Sequence, residues 1–289
     1  MRQILRSIPL LLLVFFCGCA NGLFYHPNQR LYQHPKPPFE AVTFKSDDGT
    51  KLSGWFFPAK GTPLGTVLHF HGNAANISNH YGFVKWLPEE GFNLFMFDYR
   101  GYGDSEGRPN RAGLHKDSVA ALTYVASRND VEKIVVLGQS LGGANAVDAV
   151  VSAPHAQVVG VAIDSAFYSY RRIAKDKAGL IPVLGWFKTP LSFLLVTNGH
   201  SPGPLMKELS VPVLIIHGTQ DRIIPFDHGR ALYNAAEEPK EFWAVPQGFH
   251  TSALLQKEGP WREKLVHRFK TWLGATHKPR PQGHRPPAP

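Results

Sequence analysis

Gly138, Gln139, Ser140, Leu141 and Gly142, with Gly143 behind them, set a serine among glycines directly after the apolar run Ile134 to Leu137 and ahead of an Ala-rich stretch. A serine on a sharp strand-to-helix turn needs small neighbours, because the backbone is strained there and strand and helix come close. Its hydroxyl is a poor nucleophile at neutral pH until a base takes the proton and a carboxylate orients that base. Two later segments carry such groups. The apolar run Val211 to Ile216 is followed by His217, Gly218, Thr219, Gln220 and Asp221, the first acid beyond it; the run Phe242 to Val245 is followed by Gly248, Phe249 and His250. Ser140, Asp221 and His250 are the expected nucleophile, orienting acid and base.

Attack on a carbonyl also builds an oxyanion, which needs two preorganised N–H donors. The backbone of Leu141, next to the nucleophile, supplies one. The loop His71, Gly72, Asn73, Ala74, Ala75, Asn76 follows the run ending at Phe70 and supplies the other, assigned to the backbone of Asn73. Losing one such donor costs about 100- to 1,000-fold in turnover.

These groups lie far apart in sequence, so the elements between them must bring them together. Ala41 to Lys45 and Leu52 to Phe57 flank Asp47, Asp48 and Gly49 and read as strand, turn and strand. Short apolar runs at Thr66–Phe70, Asn93–Phe97, Lys133–Leu137, Val158–Ile163, Val211–Ile216 and Phe242–Val245 read as strands buried on both faces. Helix-length segments at Ile77–Leu87, Arg111–Ala126, Gly142–Val151 and Asp227–Ala236 alternate with them. The alternation predicts an α/β fold with a mostly parallel central sheet and helices on both faces, whose ligands gather at the carboxyl ends of the strands. Residues 165–209 break the rhythm with aromatic residues and four prolines. They read as a small helical cap over the site; a crossover helix with a long loop is the other reading.

Arg2 and Arg6, an apolar run from Ile8 to Phe16 and small residues around Cys19 predict a signal peptide over 1–18. Phe16, Cys17, Gly18 and Cys19 resemble a bacterial lipoprotein processing site, with Cys19 as the lipidated first residue of a mature membrane-anchored chain; Cys17 is the competing residue, and simple cleavage or an uncleaved anchor are the other readings. Its expected place is the bacterial cell envelope, on the outer membrane facing the periplasm. Pro27, Pro35, Pro37 and Pro38 suggest a flexible tether over 19–39, and a Pro-rich basic sequence suggests a disordered tail over 275–289. The catalytic domain is then 40–274. With both cysteines, Cys17 and Cys19, ahead of the domain, it has neither a disulfide nor a cysteine nucleophile.

The net charge of +9 comes from 31 Lys and Arg residues spread along the chain, without nucleic-acid-binding signatures, so no nucleic-acid partner is expected. His69 and His71 lack a third metal ligand at suitable spacing, and no metal is expected. Gly101, Gly103 and Gly107 lack the spacing of a phosphate cradle, and no cofactor is expected. Asp164 and Ser165, at the end of another strand, are read as the start of a helix, with polar pocket residues as the other reading.

The segments HGNAAN, FDYRGYGDSEG, GQSLGG, PVLIIHGTQDRIIP and GFH, in that order from about Val42 to Leu273, resemble the α/β-hydrolase superfamily. The similarity is greatest to its HGNA branch, which holds serine-aminopeptidase-like and dienelactone-hydrolase-like proteins and membrane-associated depalmitoylases. The resemblance implies the α/β-hydrolase fold, catalytic roles for Ser140, Asp221 and His250, and oxyanion roles for the backbone of Asn73 and Leu141. It also implies that Asp98 to Gly103 form a structural loop. The expected activity is that of a serine hydrolase acting on carboxylic esters or thioesters of small or lipid-like acyl groups, palmitate included. An aminopeptidase or amidase, and an inactive envelope interaction protein, are the alternatives.

Overall fold

The computed structural model describes residues 24–179, 189–190, 192 and 196–275. The expected signal peptide, Cys19 with its lipidation, the first part of the tether, the middle of the cap interval and the tail after 275 lie outside the described residues.

Among the described residues, eight strands form one sheet: β2 (Glu40–Lys45), β3 (Lys51–Phe57), β4 (Gly65–Phe70), β6 (Phe92–Phe97), β7 (Ile134–Gln139), β8 (Val158–Asp164), β9 (Val213–Gly218) and β10 (Lys240–Val245). Their order is β10-β9-β8-β7-β4-β6-β3-β2. β2 and β3 form an antiparallel hairpin, β3 pairs antiparallel with β6, and every pair from β6 to β10 is parallel. The continuous apolar runs become β4, β6, β7, β8 and β9, buried at nearly every position, as strands covered on both faces must be. β10, on the sheet edge, is half-buried instead.

The helices are α1 (Ile77–Val84), α2 (Arg111–Ala126), α3 (Leu141–Ser152), α4 (Tyr170–Gly179), α5 (Pro202–Leu205), α6 (Phe226–Ala235), α7 (Ser252–Leu255) and α8 (Pro260–Gly274). On one face Leu68, Phe95 and Val136 pack with Leu114 and Leu122 of α2 and Val147 of α3. On the other, Val67, Leu94 and Val135 pack with Val84 of α1 and Phe269 of α8. All of these side chains are fully buried; each contributes roughly 1.5–3 kcal/mol relative to exposure. The loop 98–103 braces this frame: Arg100 pairs with the buried Asp117 of α2 at 2.7 Å and with Asp48 of the hairpin turn at 2.9 Å.

One expectation is corrected. From Phe24 onward the segment read as a free tether packs on the domain. β1 (His26–Pro27) pairs in parallel with β5 (Ala74–Ala75) in the loop after β4. Asn76 donates through Nδ2 to the carbonyls of Asn28 and Arg30, and the Ser78 hydroxyl accepts from the N–H of Tyr32. Tyr25 is buried. The prolines that suggested a linker are compatible with this docking, because the segment adds only a two-residue strand and a proline lacks merely one donor.

Candidate active site

The C-terminal ends of the parallel strands deliver the expected residues to one place. β7 runs into Ser140, whose backbone sits at φ 54° and ψ −119° before α3 begins. Such a conformation is strained for a side-chain-bearing residue. Glycines permit the turn: a Cβ on Gly138 would collide with Gly142 and Gly143, and one on Gly142 with the carbonyl of Phe70. The Ser140 N–H donates to the carbonyl of Asp164 at 2.8 Å, which fixes the turn against β8.

Three residues past β9, Asp221 accepts from the backbone N–H of Ile223 (2.8 Å) and Ile224 (2.9 Å) through Oδ1. Its Oδ2 lies 2.7 Å from Nδ1 of His250, five residues past β10. Burial favours the neutral carboxyl, yet hydrogen bonds from His217 and His250 outweigh it and hold the Asp221 carboxyl well below the usual carboxylate range. Asp221 is therefore ionised at neutral pH and fixes the imidazole with Nε2 as its remaining free nitrogen. His217, fully buried, places Nε2 2.9 Å from the Ile224 carbonyl and 3.4 Å from Asp221 Oδ2. It supports the acid and does not compete with His250.

Ser140 and His250 line one cavity of about 290 Å³ together with Asn73 and Leu141. No hydrogen bond joins the Ser140 hydroxyl to His250 among the described residues; in unliganded enzymes such contacts are often long and tighten around substrate. A Cβ built on Gly72 would lie 3.6 Å from the Ser140 Cβ, which measures how closely the loop after β4 approaches the serine. Leu141 opens α3, so its N–H has no partner within the helix. The N–H of Asn73 likewise meets no acceptor among the described residues. Both proposed oxyanion donors thus belong to the same cavity with their hydrogens uncommitted.

Several supports escaped the sequence reading. The Tyr102 hydroxyl donates to the carbonyl of Asn73 at 2.8 Å, and the N–H of His26 donates to Asn73 Oδ1 at 3.2 Å. The same N-terminal segment places Phe24 in the cavity wall. Its aromatic pair Phe24–Tyr25, just past the leader, was the signal available for this. Asp164 and Ser165 do not start a helix, since α4 begins at Tyr170. They form a buried relay beneath the site: Gln139 Nε2 donates to Asp164 Oδ2 (3.0 Å), the Ser165 hydroxyl donates to Asp164 Oδ1 (3.0 Å), and Ser165 Oγ accepts from the N–H of Thr251 (3.0 Å). The residue before Ser140 is thereby connected to the residue after His250. His69 spends Nε2 on Gln139 Oε1 at 3.1 Å.

Of the remaining wall, Phe167, Ile173 of α4, Ile223 and Ile224 are apolar, His80 adds an imidazole whose Nε2 lies 2.9 Å from the Ala74 carbonyl, and the exposed Lys177 of α4 stands at the edge. Within the described part of 165–209, α4 therefore covers one side of the site, as a cap would. It is held to α6 by His228, whose Nδ1 accepts from the Tyr168 N–H at 2.9 Å and whose Nε2 lies 2.7 Å from Asp176.

Residues 61–204 match the family model described as serine aminopeptidase, S33. The chain is 37% identical over 278 residues to the uncharacterized protein YfhR of Escherichia coli (strain K12), covering 92% of this chain and 94% of that relative. It is 35% identical over 246 residues to the alpha/beta hydrolase domain-containing protein WAV2 of Arabidopsis thaliana, covering 78% of this chain and 77% of WAV2. Among solved structures, the Pyrococcus furiosus esterase Pf2001 superposes with a TM-score of 0.69 at 21% identity, over 86% of this chain and 100% of the esterase. At that identity the likeness speaks for the fold alone.

Proposed function

This chain belongs to the α/β-hydrolase superfamily, and on that footing we propose that it is a serine hydrolase cleaving carboxylic ester or thioester bonds through an acyl-enzyme. The observation that carries the reading is the 2.7 Å contact of Asp221 with His250, in the same cavity as a serine held at positive φ. In the first step Ser140 Oγ bonds to the acyl carbon while its proton passes to His250 Nε2. The oxyanion is stabilised by the N–H groups of Asn73 and Leu141, and the alcohol or thiol leaves with the proton from His250. Water, deprotonated by the same imidazole, then attacks the acyl carbon; the acid departs and the proton returns to Ser140. Asp221 stays ionised throughout and stabilises the imidazolium.

An apolar wall and the 52% exposed Ile223 suit an acyl group. Amide cleavage is the second reading, favoured by the description of the matched family model. Against aminopeptidase action, no lining residue among those described is a carboxylate able to hold a free α-ammonium, and Lys177 would repel one. An inactive interaction protein would need neither the strained serine nor the Asp221–His250 pair. As part of the proposal, a lipid on Cys19 anchors the enzyme to the bacterial envelope; mass analysis of the mature amino terminus tests this, and an unmodified end away from Cys19 refutes it.

A fluorophosphonate probe tests the catalytic reading: it labels the folded protein and fails to label Ser140→Ala, whereas no labelling of folded wild type overturns it. p-Nitrophenyl esters of graded length, run beside aminoacyl anilides, test the substrate class. Turnover of the anilides alone would overturn the ester assignment.

A further inference from the structure

Away from the catalytic cavity, a carboxylate on α3 gathers two imidazoles. The Asp148 side chain is 5% exposed, and its Oδ2 lies 2.5 Å from Nδ1 of His115 on α2 and 3.0 Å from Nδ1 of His200. The two rings are 4.3 Å apart between centroids. A simple ion pair would need one imidazole. Here two nitrogens and one oxygen, from positions separated by 33 and 52 residues, all lie within 4.8 Å of one another. His200 reaches this point with its backbone at φ 58°, a conformation that costs a non-glycine residue energy.

We propose that His115, Asp148 and His200 form a binding site for a divalent transition-metal ion of the zinc type. Two imidazoles and a carboxylate are the donor set that zinc accepts and that calcium or magnesium, which want more oxygens, do not favour. Zinc–nitrogen and zinc–oxygen distances of about 2.0–2.2 Å place tetrahedral ligand atoms about 3.3 Å apart. The two nitrogen–oxygen separations of 2.5 and 3.0 Å open by less than about 1 Å, and the two nitrogens, already within 4.8 Å of each other, settle at the same spacing. The side chains of His115 and His200 are 25% and 36% exposed, so water can reach a fourth position. Coordination uses both imidazoles as Nε2–H tautomers and the ionised carboxylate.

The ion would act as a clamp. His200 belongs to the segment returning from the cap, where Ser201 Oγ accepts from the N–H of Tyr170 at 3.2 Å and Asn198 Oδ1 from that of Arg171 at 3.3 Å. Those two residues open α4, whose Ile173 lines the catalytic cavity. A metal at this place ties the rear of the cap helix to α2 and α3.

The test uses the full chain after dialysis against a chelator. Equilibrium dialysis with Zn(II) is expected to give one ion per chain, Co(II) to give tetrahedral-type visible absorption, and Zn(II) to raise the melting temperature. His115→Ala and His200→Ala are each expected to weaken binding at least about 100-fold, beyond the roughly 10- to 100-fold that losing a supporting hydrogen-bond partner costs. Asp148→Asn, which keeps shape and hydrogen bonding, serves if a histidine variant misfolds, and is expected to lose affinity likewise. The pair His277→Ala/His284→Ala controls for the tail and retains binding. Zinc uptake by wild type no greater than by the His115→Ala/His200→Ala variant, or an octahedral Co(II) spectrum, overturns the proposal.

Discussion

The hydroxyl of Tyr102 donates to the backbone carbonyl of Asn73 at 2.8 Å and ties the loop after β6 to the loop that faces Ser140. The N–H of Asn73 can serve as an oxyanion donor only if its loop is held still; that N–H lies in the Gly72–Asn73 peptide, so the bond to the Asn73 carbonyl restrains it from the neighbouring peptide, across the Asn73 Cα. Tyr102→Phe is expected to lower kcat about 3- to 10-fold with little change in KM, the size of one lost neutral hydrogen bond. Steady-state kinetics on a p-nitrophenyl ester measures this. An unchanged kcat would mean that β1 and His26 suffice to hold the loop.

Asp221 divides its oxygens between two tasks, Oδ1 for the backbone of Ile223 and Ile224 and Oδ2 for His250. Asp221→Asn keeps an acceptor for the backbone and loses the charge that orients the imidazole. We expect a fall in kcat of about 10⁴-fold with the melting temperature nearly retained. Collapse of the fold along with the activity would assign Asp221 a structural role.

Ser165→Ala removes the acceptor of the Thr251 N–H and a donor to the buried Asp164. An unsatisfied buried donor costs about 1–3 kcal/mol, and Thr251 adjoins His250. The variant is expected to lose stability by that amount and kcat by about tenfold while KM stays put. A change in KM instead would show that the relay shapes the cavity and not the imidazole.

Asp98 is fully enclosed, and burial pushes its carboxyl up to about 8 despite the hydrogen bond from the N–H of Ile77. His71 beside it is pushed well below the ordinary histidine value by burial, so the pair is neutral. An unfolded aspartate titrates near 3.9. Between about pH 4 and 8 the native state therefore holds a proton that the unfolded state has lost, and this contribution to stability declines with rising pH. Wild type should lose stability relative to Asp98→Asn at up to about 1.4 kcal/mol per pH unit across that window, and no further above it. Urea midpoints at pH 5, 7 and 9 measure the difference. A constant difference would show that Asp98 is ionised throughout.

The catalytic candidates were legible because each rides on a local signal. Ser140 sits in a glycine-framed turn after an apolar run, and Asp221 and His250 follow the next runs of the same kind. Strand and helix positions followed from periodicity; α2 falls on the expected residues 111–126. Residues 24–39 were misread because their prolines and weak periodicity resemble a linker, while their order comes from docking onto the loop after β4. Asp164 and Ser165 were misread because a polar pair after a strand looks like a helix cap, and only the neighbouring strand ends reveal their partners.

The strand-helix alternation and the side chains that stand at strand ends could be read from the chain alone, because backbone propensity and hydrophobic periodicity act over a few residues. Which strand ends are neighbours, what anchors Asn73, and that His115, Asp148 and His200 meet became visible in the folded molecule. Those outcomes depend on sheet order and helix packing, which join residues dozens of positions apart and leave no mark on any short stretch of chain.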